Sequence, residues 1–101
     1  MKTAITPLRV TTGTSVATTS SNVATAIPVA QGGNAPEQVL VTVTEDTYVL
    51  PGASTVVAAA TTSVLVTPES GGVIFAVKGC THIGHIRATT DGRIAINPVE
   101  A

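Results

Sequence analysis

Cys80, His82 and His85, within Cys80-Thr81-His82-Ile83-Gly84-His85, are the group of side chains in this 101-residue chain whose chemistry could make a metal centre or an activated nucleophile. Thiolate and imidazole are both competent zinc ligands, and a cysteine within hydrogen-bond reach of a histidine can be a nucleophile. The spacing works against both uses. In a regular strand Cys80 and His82 face one side and His85 the other, so the three cannot meet one ion. A β-bulge at Gly84 would bring His82 and His85 to one face, and a fourth ligand would still have to come from another loop or subunit. Cys80 therefore reads as a small buried hydrophobe, and the histidines as hydrogen-bonded or interfacial side chains.

The remaining polar residues offer no stronger constellation. Glu37, Glu45, Asp46, Glu69 and Asp91 sit in or beside expected turns, where solvated carboxylates are common, and Glu100 lies near the end of the chain. Gly32-Gly33 and Gly71-Gly72 do not run on into a helix with Lys-Ser or Lys-Thr, so no phosphate cradle is implied. The reading assigns no catalytic, cofactor-binding or metal residue and expects a protein that is not an enzyme. The five basic residues, Lys2, Arg9, Lys78, Arg87 and Arg93, are scattered and the net charge is −1, which lacks the footprint of nucleic-acid binding. No apolar run approaches the roughly 20 residues of a membrane span. Pro7 and Arg9 interrupt any apolar stretch near the N-terminus, which does not read as a secretion signal. A single cysteine cannot form an intrachain disulfide and suits a reducing compartment.

The elements that would position these residues are strands. Eighteen Thr, 15 Val and seven Ile dominate the chain. Their branched β-carbons disfavour helix and pack well on a pleated surface. With 44% hydrophobic residues the chain is expected to bury a core, but Tyr48 and Phe75 are its whole aromatic inventory. Such a core is thin. Only 11% of residues are charged, so much of the surface is expected to be covered in an oligomer or a larger assembly.

Residues 1–22 form a Ser/Thr-rich segment, expected as an extended N-terminal arm, with 23–101 as the domain proper. That arm is held either against a neighbouring subunit or shell, or by adding an edge strand through Thr3–Val10 to its own domain. Gln38–Thr44 alternates cleanly, with Val39, Val41 and Val43 on one face. Glu45-Asp46 should turn the chain into a hairpin partner at Thr47–Leu50, stopped by Pro51-Gly52. Thr55–Ala60 reads as a short strand or irregular edge, and Ser63–Thr67 as a strand. Val73–Lys78 follows the Pro68–Gly72 turn, and its two apolar faces imply a central strand or a subunit contact. Thr81–Ala88 and Arg93–Asn97 should form a hairpin around Asp91-Gly92. Seven or eight such strands predict an all-β fold, a small antiparallel β-sandwich or jelly roll.

The runs QVLVTVTEDTYVLPG and SVLVTPESGGVIFAVKGCTHIGHIRATTDGRIAINPVE resemble small virion proteins of tailed bacteriophages, of the capsid decoration (cement) and head accessory type. The likeness covers residues 23–100 and lies in the ordering of strands and turns, with Thr81-His82-Ile83 and Ile96-Asn97-Pro98-Val99-Glu100 its most distinctive pieces. It implies a β-sandwich knob on the capsid surface of a virion, made in the host cytoplasm. Such a knob, often trimeric or dimeric, binds the major capsid protein and staples neighbouring subunits. The resemblance carries no residue role to this chain. From the residues themselves, the expected capsid or subunit contacts are Thr3, Ile5, Leu8 and Val10 on the arm and Ile74, Phe75 and Val77 on the late strand. The competing readings are a head-to-tail connector or tail-associated subunit, and a receptor- or glycan-binding module.

Overall fold

The computed structural model describes residues 9–29 and 33–100. Nine strands occupy most of that length: β1 (Arg9–Val10), β2 (Thr14–Thr18), β3 (Val23–Ala26), β4 (Gln38–Val43), β5 (Thr47–Gly52), β6 (Val64–Val66), β7 (Val73–Ala76), β8 (His82–Arg87) and β9 (Gly92–Glu100). They form two antiparallel sheets. One has the order β1-β9-β4-β7 with β2 also on β9, and the other β3-β8-β5-β6. The first is four positions wide, since β1 and β2 share the same edge of β9.

The pairings β2 with β9, β3 with β8, β4 with β7 and β5 with β6 are nested, like one long hairpin rolled into a sandwich. The rolling is closed by β4 on β9 and β5 on β8, and this connectivity is a jelly roll. β2 lies over β8 and β4 over β6 across the sandwich. The all-β sandwich expected from composition is therefore the observed fold.

Connectivity changes two of the expected hairpins. β4 and β5 lie in different sheets, as do β8 and β9, so Glu45-Asp46 and the Asp91-Gly92 turn carry the chain across the sandwich. The two crossings brace one another. Thr44 donates its backbone N–H to Arg93 O (3.0 Å), Arg93 N–H donates to Thr44 Oγ1 (2.8 Å), and Ala88 N–H donates to Asp46 O (3.0 Å). Among the described strands only β5 and β6 are both consecutive and paired.

Alternation along the strands builds the core. Val39 and Val41 of β4, Ile94 and Ile96 of β9, Phe75 of β7 and Val77 just after it meet Val49, Val66 and Ile83 from the opposite sheet. Nearly all are β-branched, which suits a pleated inner face. Threonines that face inward satisfy their hydroxyls on backbone: Thr47 Oγ1 donates to Glu45 O, Thr11 Oγ1 donates to Pro98 O, and Thr18 Oγ1 accepts from Gly92 N–H. Burying these polar groups then carries little penalty.

Of the expected Thr3–Val10 edge strand, Arg9–Val10 pair with β9 and Thr3–Leu8 lie outside the described residues; Thr14–Thr18, beyond that range, also pair with β9. Between Val10, opposite Val99, and Thr14, opposite Ile96, the edge carries three residues against two on β9, which is a β-bulge. Gly13 sits in this bulge, and a Cβ there would overlap Ile96 O and come within 2.7 Å of Asn97 Cα. Pro98 is accommodated by the same irregularity. Its carbonyl accepts from Thr11 N–H, and because N–H and C=O of an extended residue point to one side, its missing donor falls at the bulge and not against β4.

Candidate functional site

The Cys80–His85 group does not converge. β8 pairs with β5 in unbroken register from His82 opposite Gly52 to Arg87 opposite Thr47, so there is no bulge at Gly84 and alternation puts His82 and His85 on opposite faces. His82 lies on the outer side, its Nδ1 2.8 Å from Thr81 Oγ1. His85 is fully buried between the sheets with Nε2 2.8 Å from Thr25 Oγ1. Cys80 packs against the apolar core. No cluster of three or more His, Cys, Asp or Glu side chains occurs among the described residues.

What the fold does present is a nearly uncharged outer face on the β1-β9-β4-β7 sheet. In antiparallel pairs opposite residues share a face, so the register reads out this surface row by row. Ile74 lies beside Leu40 and Leu40 beside Asn97; in the next row Thr42 lies beside Ala95 and Ala95 beside Ser15. Ala76 and Gln38 extend the face on one side, Ala17 and Arg93 on the other. Among the outward positions of β2, β4, β7 and β9 up to Val99, Arg93 alone carries charge. It is held at the margin, its Nε–H and a terminal N–H donating to Ser15 Oγ and Ser15 O, both at 3.1 Å. Ile74, 48% exposed, is the largest apolar side chain left in solvent on these strands.

This geometry sorts the expected contact residues. Ile74 is exposed, and so is Val10 at 51% on the opposite edge. Phe75 and Val77 point inward, at 9% and 1% exposure, because their positions on β7 and just beyond it alternate with Ile74 and Ala76. They hold the strand down instead of presenting a surface. The strand is also not central: β7 is the edge, paired on one side with β4. Thr3, Ile5 and Leu8 lie outside the described residues.

The outer face of the other sheet is arranged differently. Leu65, Tyr48 and Ile86 form a cross-strand row, while the segment between β5 and β6 folds back over its neighbour. A Cβ at Gly84 would meet Val56 Cγ1 at 3.0 Å and Ala58 N at 3.4 Å, so the glycine permits the loop to lie on the sheet. Thr55–Ala60 is thus an irregular cover, not a strand. Asn22 pins it, donating Nδ2–H to Val56 O (3.2 Å) and accepting from Ala58 N–H at Oδ1 (2.7 Å). Asn22 was not marked by any motif; an Asn ahead of a strand is a common turn residue, and its role depends on a loop 34 residues away. An Asn22→Ala protein should lose about 1–3 kcal/mol, since Ala58 is buried and its N–H would have no partner. Urea titration together with amide exchange at Ala58 measures this, and unchanged exchange there would contradict the assignment.

The fold and its surfaces define a small jelly-roll domain with a nearly uncharged outer sheet face. Comparison with protein-family models, with curated proteins and with solved structures gives no match to this chain.

Proposed function

We propose that this chain is a structural virion protein that binds the outer surface of a phage capsid and cements neighbouring capsid subunits. The supporting observation is the outer face of the β1-β9-β4-β7 sheet, where the Ile74–Leu40 pair lies among alanine, serine, threonine and amide side chains with Arg93 confined to the margin. A face with so little charge loses little on desolvation when it is covered, and each apolar Å² removed from water contributes roughly 25 cal/mol. Jelly rolls serve viral shells, lectins and cupins alike, so the fold agrees with the reading without selecting it.

In this reading the partner is the major capsid protein, and the domain acts as a dimer or trimer where shell subunits meet. Each contact is modest. A subunit that touches two or more capsid proteins converts later contacts into intramolecular ones, and repetition over the shell multiplies the effect.

Sedimentation of the purified protein with shells of the virus that encodes it tests the proposal. The wild-type chain should pellet with shells. Ile74→Asp should weaken binding by at least about tenfold, equivalent to about 1.4 kcal/mol, because it puts a carboxylate into the covered face. Its thermal midpoint should stay near that of the wild type, Ile74 being outside the core. Wild-type binding by Ile74→Asp would remove this face from the account, and failure of the wild-type chain to pellet would remove the capsid.

A further inference from the structure

His85 is a fully buried imidazole in an interior otherwise made of aliphatic residues, Phe75 and a few threonines, and its Nδ1 has no hydrogen-bond partner among the described residues. Its tautomer follows from the two ring nitrogens' surroundings. Were Nε2 to accept from Thr25, the ring proton would sit on Nδ1, an N–H buried with no acceptor. An unpaired acceptor is the more tolerable defect, so Nε2–H donates to Thr25 Oγ1 and Nδ1 is left as a bare lone pair. The site thus suits the neutral ring alone, at the cost of one unpaired acceptor. A second proton would create at Nδ1 a buried charged donor with nothing to receive it.

Among the described residues the strands around His85 offer no compensating charge. β3, β4, β6 and β7 contain no ionisable side chain, the 53–63 loop contains none, and the same is true of β2. On β5 the ionisable group is Tyr48, which alternation places on the outer face. β9 up to Val99 contributes Ile94 and Ile96 inward, with Arg93 on the outer face. On β8 itself Arg87 shares the side of His85 and is engaged with Asp91, while His82 lies on the other side. Burial accordingly lowers the His85 pKa below the ordinary 6.5, with desolvation as the cause.

The element that must move to hydrate His85 is identifiable. β3 is an edge strand of four residues, paired on one side with β8, and it supplies the Thr25 hydroxyl that the ring holds. Immediately before it stands Asn22, whose amide makes both bonds that pin the 53–63 loop over Gly84. Opening β3 therefore exposes the imidazole and withdraws the loop's anchor in one movement.

We propose that His85 is an acid-sensitive latch: the neutral ring holds β3 on β8 through Thr25, and acidification favours an open form in which β3 and the Asn22-anchored loop leave the sheet together. Short edge elements with few buried residues are where local opening is least costly. The direction follows from linkage. The open form binds the proton more readily than the closed one, so the closed form is fully stable above 6.5 and loses ground as pH falls from 6.5 toward the lowered native pKa.

Amide exchange, corrected for intrinsic rates and compared at about pH 7.5 and about pH 5.5, tests the latch; protection at 23–26 and at Val56–Ala58 should drop, by about tenfold at most, since the lower measurement lies one pH unit below the ordinary pKa. Protection in β7, an edge strand of the other sheet that does not cover His85, should hold. In His85→Leu the drop should vanish. An equal drop in β7, or persistence of the drop in His85→Leu, would overturn the proposal. Because the leucine variant could fail to fold, the wild-type His85 ring is also titrated by NMR. A midpoint below 6.5 in the closed form is expected, and one at or above 6.5 overturns the latch regardless of any variant.

Discussion

Gly13→Val should cost upward of about 3 kcal/mol and strip the β1–β2 edge from its sheet. The added Cβ would overlap Ile96 O and crowd Asn97 Cα, both backbone atoms of β9, so no side-chain rotation relieves it. β9 cannot retreat, because its other side is paired with β4 from Val43 through Gln38. The edge must leave instead. With it go the Thr11–Pro98 bonds, the Asn97 side-chain bond to Thr11 O, and the Arg93–Ser15 contacts. Val16, packed on the core, and Thr18 would then meet water. A shifted urea midpoint with lost amide protection across 14–18 is the expected result. Stability within about 0.5 kcal/mol of wild type, the range of an innocuous surface change, would show that the bulge is not as described.

Ile96→Ala should cost about 2–5 kcal/mol, a large share of the roughly 5–15 kcal/mol that holds a domain of this kind together. Ile96 is wholly buried on the strand that joins the N-terminal edge to β4. A core with one phenylalanine has few large neighbours able to collapse into the space. Ile74→Ala supplies the contrast: the same apolar residue type, on an outward position, should change stability by less than about 1 kcal/mol. Equal losses from the two would contradict the assignment of inner and outer faces; denaturant titration of both proteins decides it.

Local pattern and long-range pairing were unequally legible in the sequence. The alternation of Gln38–Val43 foretells both the strand and its inward valines, because the two-residue repeat is a property of the backbone itself. Glu45-Asp46 and Asp91-Gly92 foretell turns but not their partners. Turn residues set the local bend, whereas membership of one sheet or the other is decided by contacts dozens of residues away. In a jelly roll nearly every turn crosses between sheets, so the hairpin signal misleads at both places. Val73–Ala76 looks central because both its faces are apolar, yet Ile74 and Ala76 face outward at an edge. Composition cannot distinguish a residue covered by its own fold from one awaiting a partner. The opposite orientations of His82 and His85 were implicit in their spacing, but the burial of His85 and its bond to Thr25 depend on β3 pairing with β8, 60 residues apart.

The cement proposal makes this chain the product of a virus, and its copy number relative to the major capsid protein in purified particles of that virus tests the proposal most directly. Quantitative mass spectrometry should give one copy per shell subunit or a simple fraction of that number. A few copies per particle would place the protein at a connector or tail position, and its absence from the particles would contradict the virion reading altogether.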